Sequence, residues 1–305
     1  MDVSIVLVSY NTEELTKNCI KSIYEKTEGL HFDVWVVDNA SKDNSIQTIK
    51  EEFPQVKLIE SKENLGFGRA NNLAIRQSNA KYILLLNTDT ILINNAIKIL
   101  FDYMELPENQ NVGGCGGQLY NSDMTLQGST GQFDDLQFLF KKCFGLNWTS
   151  RFNRFKNIYK KNILKENHSQ KINIAHETDF IIGADLMLRK SVLDKIDLFD
   201  ERFFMFAEEA EICFRVKKYG HKIMFVPDAK IIHFGGGTTN KQNTSIEVEK
   251  MRLTSDILFY KICYGDDAGK VAKFFFIIYY FRYLFLRLFS PKAFKRLFMA
   301  INAKL

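Results

Sequence analysis

Proline is scarce, with four in 305 residues, too few for long extended linkers. No Cys-x-x-Cys pair occurs; Cys19, Cys115, Cys143, Cys213 and Cys263 are scattered and odd in number. That pattern excludes a disulfide framework and a zinc site, and it fits a reducing, cytoplasmic compartment. No basic segment precedes the apolar run in MDVSIVLVSYN, so the run reads as a first strand and not a signal peptide. Acidic side chains also stop short. From Lys270 onward there are eight Lys/Arg and no Asp/Glu, so of 41 basic and 36 acidic residues the first 269 positions hold 33 and 36. A slightly acidic body ends in a basic tail suited to an anionic surface.

Two nucleotide-loop signatures are missing as well. Gly66-Phe67-Gly68-Arg69-Ala70-Asn71 follows the third apolar strand rather than the first and has no third glycine, which excludes a dinucleotide fingerprint. Gly113-Gly114-Cys115-Gly116-Gly117 has no Lys-Ser/Thr after it, and reads as a close-packed strand or bulge. What is present is alternation. Val3–Ser9, Asp33–Asp38, Val56–Glu60 and Lys81–Asn87 read as strands, with helical patterns at Glu13–Lys26, Ser41–Phe53 and Arg69–Ser78. Strands separated by helices of this length imply βαβ units and a mostly parallel sheet. Such sheets bind ligands beyond the carboxyl ends of their strands. Polar clusters stand at two of those ends: Asp38-Asn39-Ala40-Ser41 and Asn87-Thr88-Asp89.

In order along the chain come VSIVLVSYNT, VVDNASKDNS, NLGFGRANNLAI, YILLLNTDT, GADLMLRK, FDERFFMFAEEAEICFRVKKYG and IIHFGGGTT. From about Val3 to Thr239 this series resembles the inverting glycosyltransferases of family 2, in particular their rhamnosyltransferase-like branch. The resemblance implies an α/β nucleotide-binding sandwich of the GT-A type over residues 1–240, with a helical C-terminal region over 241–305. It also implies transfer of a sugar from a UDP or dTDP donor, dTDP-rhamnose among them. The acceptor would be a saccharide or a polyprenyl-diphosphate-linked saccharide of cell-surface polysaccharide.

The chemistry needs a held nucleoside, a neutralised diphosphate and a base for the acceptor hydroxyl. Asp38 can accept from a base imide or ribose, or else cap the helix after Ser41. Asn64, Arg69 and Asn71 follow the third strand; Arg69 can pair with diphosphate or lie exposed on its helix. A hard divalent cation takes oxygen ligands and often bridges phosphate through one or two carboxylates. The family's DxD-type motif stands here as Asn87-Thr88-Asp89, so Asp89 carries the cation contact beside Thr88. By resemblance His233 is the second ligand, and a nitrogen ligand favours Mn²⁺ over Mg²⁺. Glu208, Glu209 and Glu211 open a helix, where the dipole favours carboxylates, so plain capping is one reading. The other is catalysis: by position Glu209 is the general base with Glu208 second, and Glu211 orients its neighbours. Asp185 is placed at donor sugar or acceptor.

The segment at about 133–172 interleaves aromatic and basic residues as an insertion, without any nucleic-acid motif. Phe274–Phe289 is sixteen residues with Arg282 and Arg287 inside, short of the roughly 20 apolar residues of a membrane span. It reads as an interfacial helix on the inner leaflet, with burial on the body or in a dimer as the competing reading. Two other function classes fit the motifs less well. A nucleotidyltransferase of related fold calls for a Gly-rich loop after strand one, where Ser9-Tyr10-Asn11-Thr12 stands. A non-catalytic nucleotide-sugar-binding protein has no need of both Glu209 and Asp89.

Overall fold

The computed structural model describes residues 1–144, 174–235, 246–287 and 289–303. In chain order the elements are β1 (Val3–Ser9), α1 (Glu13–Lys26), β2 (Phe32–Asp38), α2 (Ser45–Glu52), β3 (Lys57–Glu60) and α3 (Phe67–Gln77). Then come β4 (Tyr82–Leu86), β5 (Thr90–Leu92), α4 (Ala96–Glu105), β6 (Val112–Tyr120), β7 (Thr130–Gly131) and α5 (Leu136–Phe144). After these follow β8 (His176–Thr178), β9 (Phe180–Ile181), β10 (Asp185–Arg189), α6 (Lys190–Ile196), α7 (Glu208–Lys218) and β11 (Lys222–His233). The chain closes with α8 (Ile246–Tyr264), α9 (Asp266–Leu286) and α10 (Pro291–Ile301).

These elements form two units, Met1–Gln132 with Ala175–Asn243, and Phe133–Ile174 with Thr244–Leu305. The first holds a nine-stranded sheet ordered β3-β2-β1-β4-β10-β6-β11-β5, with β8 paired to β11. Six strands, β1, β2, β3, β4, β6 and β11, run the same way, while β10, β5 and β8 oppose them. β1 and β4 are apolar on both faces because helices cover both sides of the sheet. Val3, Ile5, Leu7, Val34, Val36, Leu84 and Leu86 join one core with Cys19, Ile20 and Ile23 of α1 and Ile97 and Leu100 of α4. Each such side chain contributes about 1.5–3 kcal/mol on burial.

Two boundaries differ from expectation for local reasons. α2 starts at Ser45, not Ser41, since the Asp43 carboxylate accepts from the Ser45 N–H and hydroxyl and holds the preceding residues in a turn. α3 starts at Phe67, two residues early, behind Gly66 in a left-handed conformation (φ 79°). A Cβ on Gly66 would lie 2.0 Å from the Phe204 carbonyl oxygen, so only glycine fits there.

The GGCGG run is strand β6, squeezed between β10 and β11. A Cβ on Gly117 would lie 2.4 Å from the Ala229 carbonyl oxygen. Backbone cannot yield as a side chain can, so Gly117→Ala is expected to cost at least the usual penalty of about 1–3 kcal/mol for overpacking. Urea unfolding of the variant measures this; an unchanged midpoint would contradict the packing described.

In the second unit, described by itself, α5 packs with α8, α9 and α10 around Leu139, Cys143, Leu253, Ile257, Ala272 and Phe276. The Arg282 guanidinium donates to the Cys143 carbonyl (2.7 Å), and the Tyr260 hydroxyl to the Asp135 carbonyl (3.4 Å). The described start of the 133–172 insertion thus belongs with the C-terminal helices; its residues 145–172 lie outside the described residues. No helix among the described residues is long and apolar enough to cross a membrane.

Candidate active site

Sheet register brings the polar residues together. Asp38 ends β2 opposite Ser9 and Glu60, Leu86 ends β4 opposite Asp185, and His233 ends β11 opposite Thr90. Because β10 and β5 run backwards, their first residues stand at the same carboxyl edge as the last residues of the parallel strands. Asp38, Asn87, Asp89, Asp185 and His233 all fall on that edge.

Asp38 is fully buried, with one carboxylate oxygen accepting from the Ser41 N–H at 2.9 Å. Its other oxygen has no hydrogen-bond partner among the described residues. A buried polar atom left open is costly, so this acceptor suits a ligand N–H or O–H. Asn39 next to it donates to the Asn64 side-chain oxygen (2.9 Å) and the Gly66 carbonyl (3.0 Å), and accepts from the Leu65 N–H (2.8 Å). Asn64 is thereby engaged in shaping its own turn, as its oxygen also accepts from the Gly66 N–H. Arg69 is exposed and lies 4.0 Å from Glu201. Asn71 is buried and donates to the Phe67 carbonyl, while its oxygen has no partner among the described residues. Thr88 joins a buried hydroxyl chain through Thr12, which reaches Ser9 and Thr16.

Asp89 and His233 meet. Asp89 Oδ1 lies 3.3 Å from His233 Nε2, and the Asp89 carbonyl accepts from the Phe234 N–H. His233 Nδ1 faces the Gln127 side-chain oxygen at 2.8 Å, and the Gln127 amide nitrogen donates to Asn121. With Gln127 Oε1 accepting from Nδ1–H, the ring is held in the tautomer whose Nε2 lone pair lies on the Asp89 side. An oxygen and a nitrogen donor, with the ring oriented from behind, suit a divalent cation. Among the described residues no third His, Cys, Asp or Glu joins them.

The base candidates differ in environment. Glu208 is buried and one of its oxygens has no partner among the described residues. Burial, and then the neighbouring Glu209 charge, push its carboxyl well above the usual range. Glu209 is only partly buried and lies over Gly183, where an added Cβ would sit 3.5 Å from its own Cβ. Gly183 leads to Ala184, whose carbonyl accepts from the Asn87 N–H (3.1 Å). Phe206 and Ala207, both left-handed (φ 73° and 65°), turn the chain into α7 just before these acids. Glu211 is buried and paired with Arg215, which also donates to the carbonyls of Ile196 and Leu198. This clamp ties α7 to the loop after α6, and breaking such a buried pair costs about 3–5 kcal/mol. Asp185 is fully buried and accepts from the Gly117 N–H at 2.6 Å; burial raises its carboxyl well above the usual range. Its carboxyl binds strand backbone, an environment the motif alone did not reveal. Asn39 and Gln127 join the site as well; Asn39 belongs to the polar cluster after β2, whereas no motif surrounds Gln127.

An open, mostly parallel α/β sheet with acidic and polar residues gathered at its carboxyl edge and an acid-led helix beside it is an arrangement of the GT-A type. Residues 4–197 match the family model Glycosyl transferase family 2, and the chain belongs to that family. It resembles the family's rhamnosyltransferase-like branch. It is 23% identical over 253 residues to an N-acetylglucosaminyl-diphospho-decaprenol L-rhamnosyltransferase of Mycobacterium tuberculosis, covering 79% of this chain and 78% of that one. It is 24% identical to the rhamnosyltransferase WbbL of Escherichia coli, covering 76% and 83%. Among solved structures, GalNAc-T7 with UDP, GalNAc and Mn²⁺ aligns at a TM-score of 0.64 and 13% identity, over 96% of this chain and 54% of that chain. This chain therefore spans about half of that protein. The mannosyltransferase PcManGT of Pyrobaculum calidifontis, with GDP-Man and Mn²⁺, aligns at 0.56 and 13% identity over 98% and 84%.

The raised Glu208 carboxyl gives a stability test. Its folded value lies above the unfolded one, so the fold favours the acid form, and stability is lost as pH rises from the unfolded toward the folded value. Glu208→Gln cannot ionise and escapes that loss. Its melting temperature is expected to gain on wild type as pH goes from about 5 to about 8. A difference independent of pH would contradict the buried acid.

Proposed function

We propose that this glycosyltransferase transfers a sugar with inversion from a UDP or dTDP donor, dTDP-rhamnose foremost, to a saccharide or lipid-linked saccharide in polysaccharide synthesis. The observation that carries the reading is the Asp89–His233 pair at the carboxyl edge, joined to the base segment through the Asn87–Ala184 hydrogen bond. The open oxygen of Asp38 is the acceptor for the base imide or ribose hydroxyl. Asp89 and His233 would hold Mn²⁺ or Mg²⁺, which when bound neutralises charge on the departing diphosphate. Asn64, Asn71 and Thr88 shape the donor pocket walls; Arg69 sits at its rim in exchange between Glu201 and phosphate.

Glu209 takes the proton of the acceptor hydroxyl as that oxygen bonds to the anomeric carbon. The bond from this carbon to the diphosphate oxygen breaks on the opposite side, and its electron pair leaves with the diphosphate. Burial pushes the Glu208 carboxyl well above the usual range, and on this reading it supports the site and Glu209 is the base. Asp185 holds β6 through one oxygen, and its other oxygen, without a partner among the described residues, is placed for donor sugar or acceptor. The support for a lipid-linked acceptor is the decaprenol-linked substrate in the name of the mycobacterial relative, together with a tail that is basic from Lys270 on. On this reading the enzyme works at the cytoplasmic face of a membrane.

Release of nucleoside diphosphate from candidate donors, with and without acceptor, tests the reading. Glu209→Gln is expected to lower turnover by about 10²–10⁴ with donor affinity nearly unchanged. If Glu208→Gln fails and Glu209→Gln does not, the base is Glu208. Asp89→Ala is expected to remove any gain in donor affinity from Mn²⁺ or Mg²⁺. Equal donor affinity with and without cation in the wild type would refute the metal role.

A further inference from the structure

The second unit turns one side of its C-terminal helices inward and leaves the other apolar as well. Phe276 and Leu284 of α9, with Ala293, Met299 and Ala300 of α10, are buried. Across the helices from them, Phe274, Phe281, Phe285, Phe289, Phe294 and Phe298 are 50–70% exposed. They present on the order of 600 Å² of aromatic surface, which is large for a soluble monomer.

Four of these rings form a continuous ridge. Phe281 and Phe285 lie 5.0 Å apart between centroids, Phe285 and Phe289 5.0 Å, and Phe289 and Phe294 6.2 Å. The ridge passes from α9 to α10 without interruption because Phe289 takes a left-handed conformation (φ 58°) in the turn. Bulky residues rarely adopt that backbone. Ser290 then caps α10 by accepting from the Ala293 N–H, with Pro291 at its first position. Arg287, Lys292 and Lys295 are exposed around the turn, and no acidic residue occurs anywhere after Asp267.

We propose that this ridge, and not a single amphipathic helix, docks on an anionic lipid surface, with the phenyl rings entering the headgroup boundary and the three cations meeting lipid phosphates. Aromatic rings flanked by Lys and Arg suit that interface. A second copy of the chain is a poorer occupant. It would bring the same cations face to face, and helix seams favour Leu, Ile and Val over phenylalanine. The inference rests on the membrane-side reading of the function, but its test reads binding and not turnover.

The test is co-sedimentation of the full chain with phosphatidylcholine vesicles, alone or with about one-third phosphatidylglycerol. Wild type is expected to pellet with the anionic vesicles and to be released by high salt. Phe285→Ser with Phe289→Ser should weaken binding by about tenfold or more, with thermal melting unchanged since both rings are exposed. Lys292→Glu with Lys295→Glu should abolish the preference for anionic lipid. Wild type remaining in the supernatant at low salt would overturn the proposal, as would undiminished binding by the double Phe variant. A vesicle-free dimer that the Phe variant dissolves would assign the ridge to a second copy and overturn it too. Donor turnover in lipid-free buffer is expected to be equal in all variants; its absence in every one would instead count against the transferase reading.

Discussion

The site depends on one strand running the wrong way. β10 is wedged antiparallel between β4 and β6, so the segment leading into it, Gly183-Ala184, arrives where β4 ends. The Asn87 N–H bonds to the Ala184 carbonyl there, and Glu209 lies over Gly183. A parallel strand in that place would have delivered its end residues instead, and its approach would lie at the opposite edge of the sheet. The glycines of β6 make the wedge possible, since side chains at Gly114, Gly116 or Gly117 would collide with β10, β11 or their neighbours.

Glu211, Asp185 and Glu208, three of the buried carboxyls in this unit, stand in different electrostatic situations. Glu211 is burdened by burial but answered by Arg215, and serves to hold α7. Among the described residues no cation answers Asp185 or Glu208, so burial dominates and both favour the acid form. That separation matters for chemistry. Of two adjacent glutamates at one helix end, burial favours the acid form of Glu208, while Glu209 is only partly buried. Environments that push neighbouring acids apart are how acid and base roles are divided.

Much of this was legible in the sequence because it is local. Alternating apolar runs marked the strands from Val3 to Leu86, and the polar clusters after Asp38 and Leu86 marked the binding edge, since strand ends carry ligands in such sheets. The motif order carried the family. What resisted reading was long-range pairing. Gln127 orients His233 across 106 positions, and no pattern near either residue announces it. Asp185 stands in a motif whose sequence does not show that one of its oxygens is held by the Gly117 N–H while the other has no partner among the described residues. The tail was legible in composition alone: its charge and aromatics were plain, but the division into a buried and an exposed apolar side needed the packing of α5, α8, α9 and α10.

The central claim is that the carboxyl edge holds a nucleoside diphosphate between Asp38 and the Asp89–His233 pair. The most direct measurement is anomalous diffraction from crystals grown with Mn²⁺ and UDP or dTDP. The account predicts a manganese peak bonded to an Asp89 oxygen, His233 Nε2 and diphosphate oxygens, with the nucleoside contacting the open oxygen of Asp38. A diphosphate bound away from this edge, or a manganese peak that touches neither Asp89 nor His233, would contradict it.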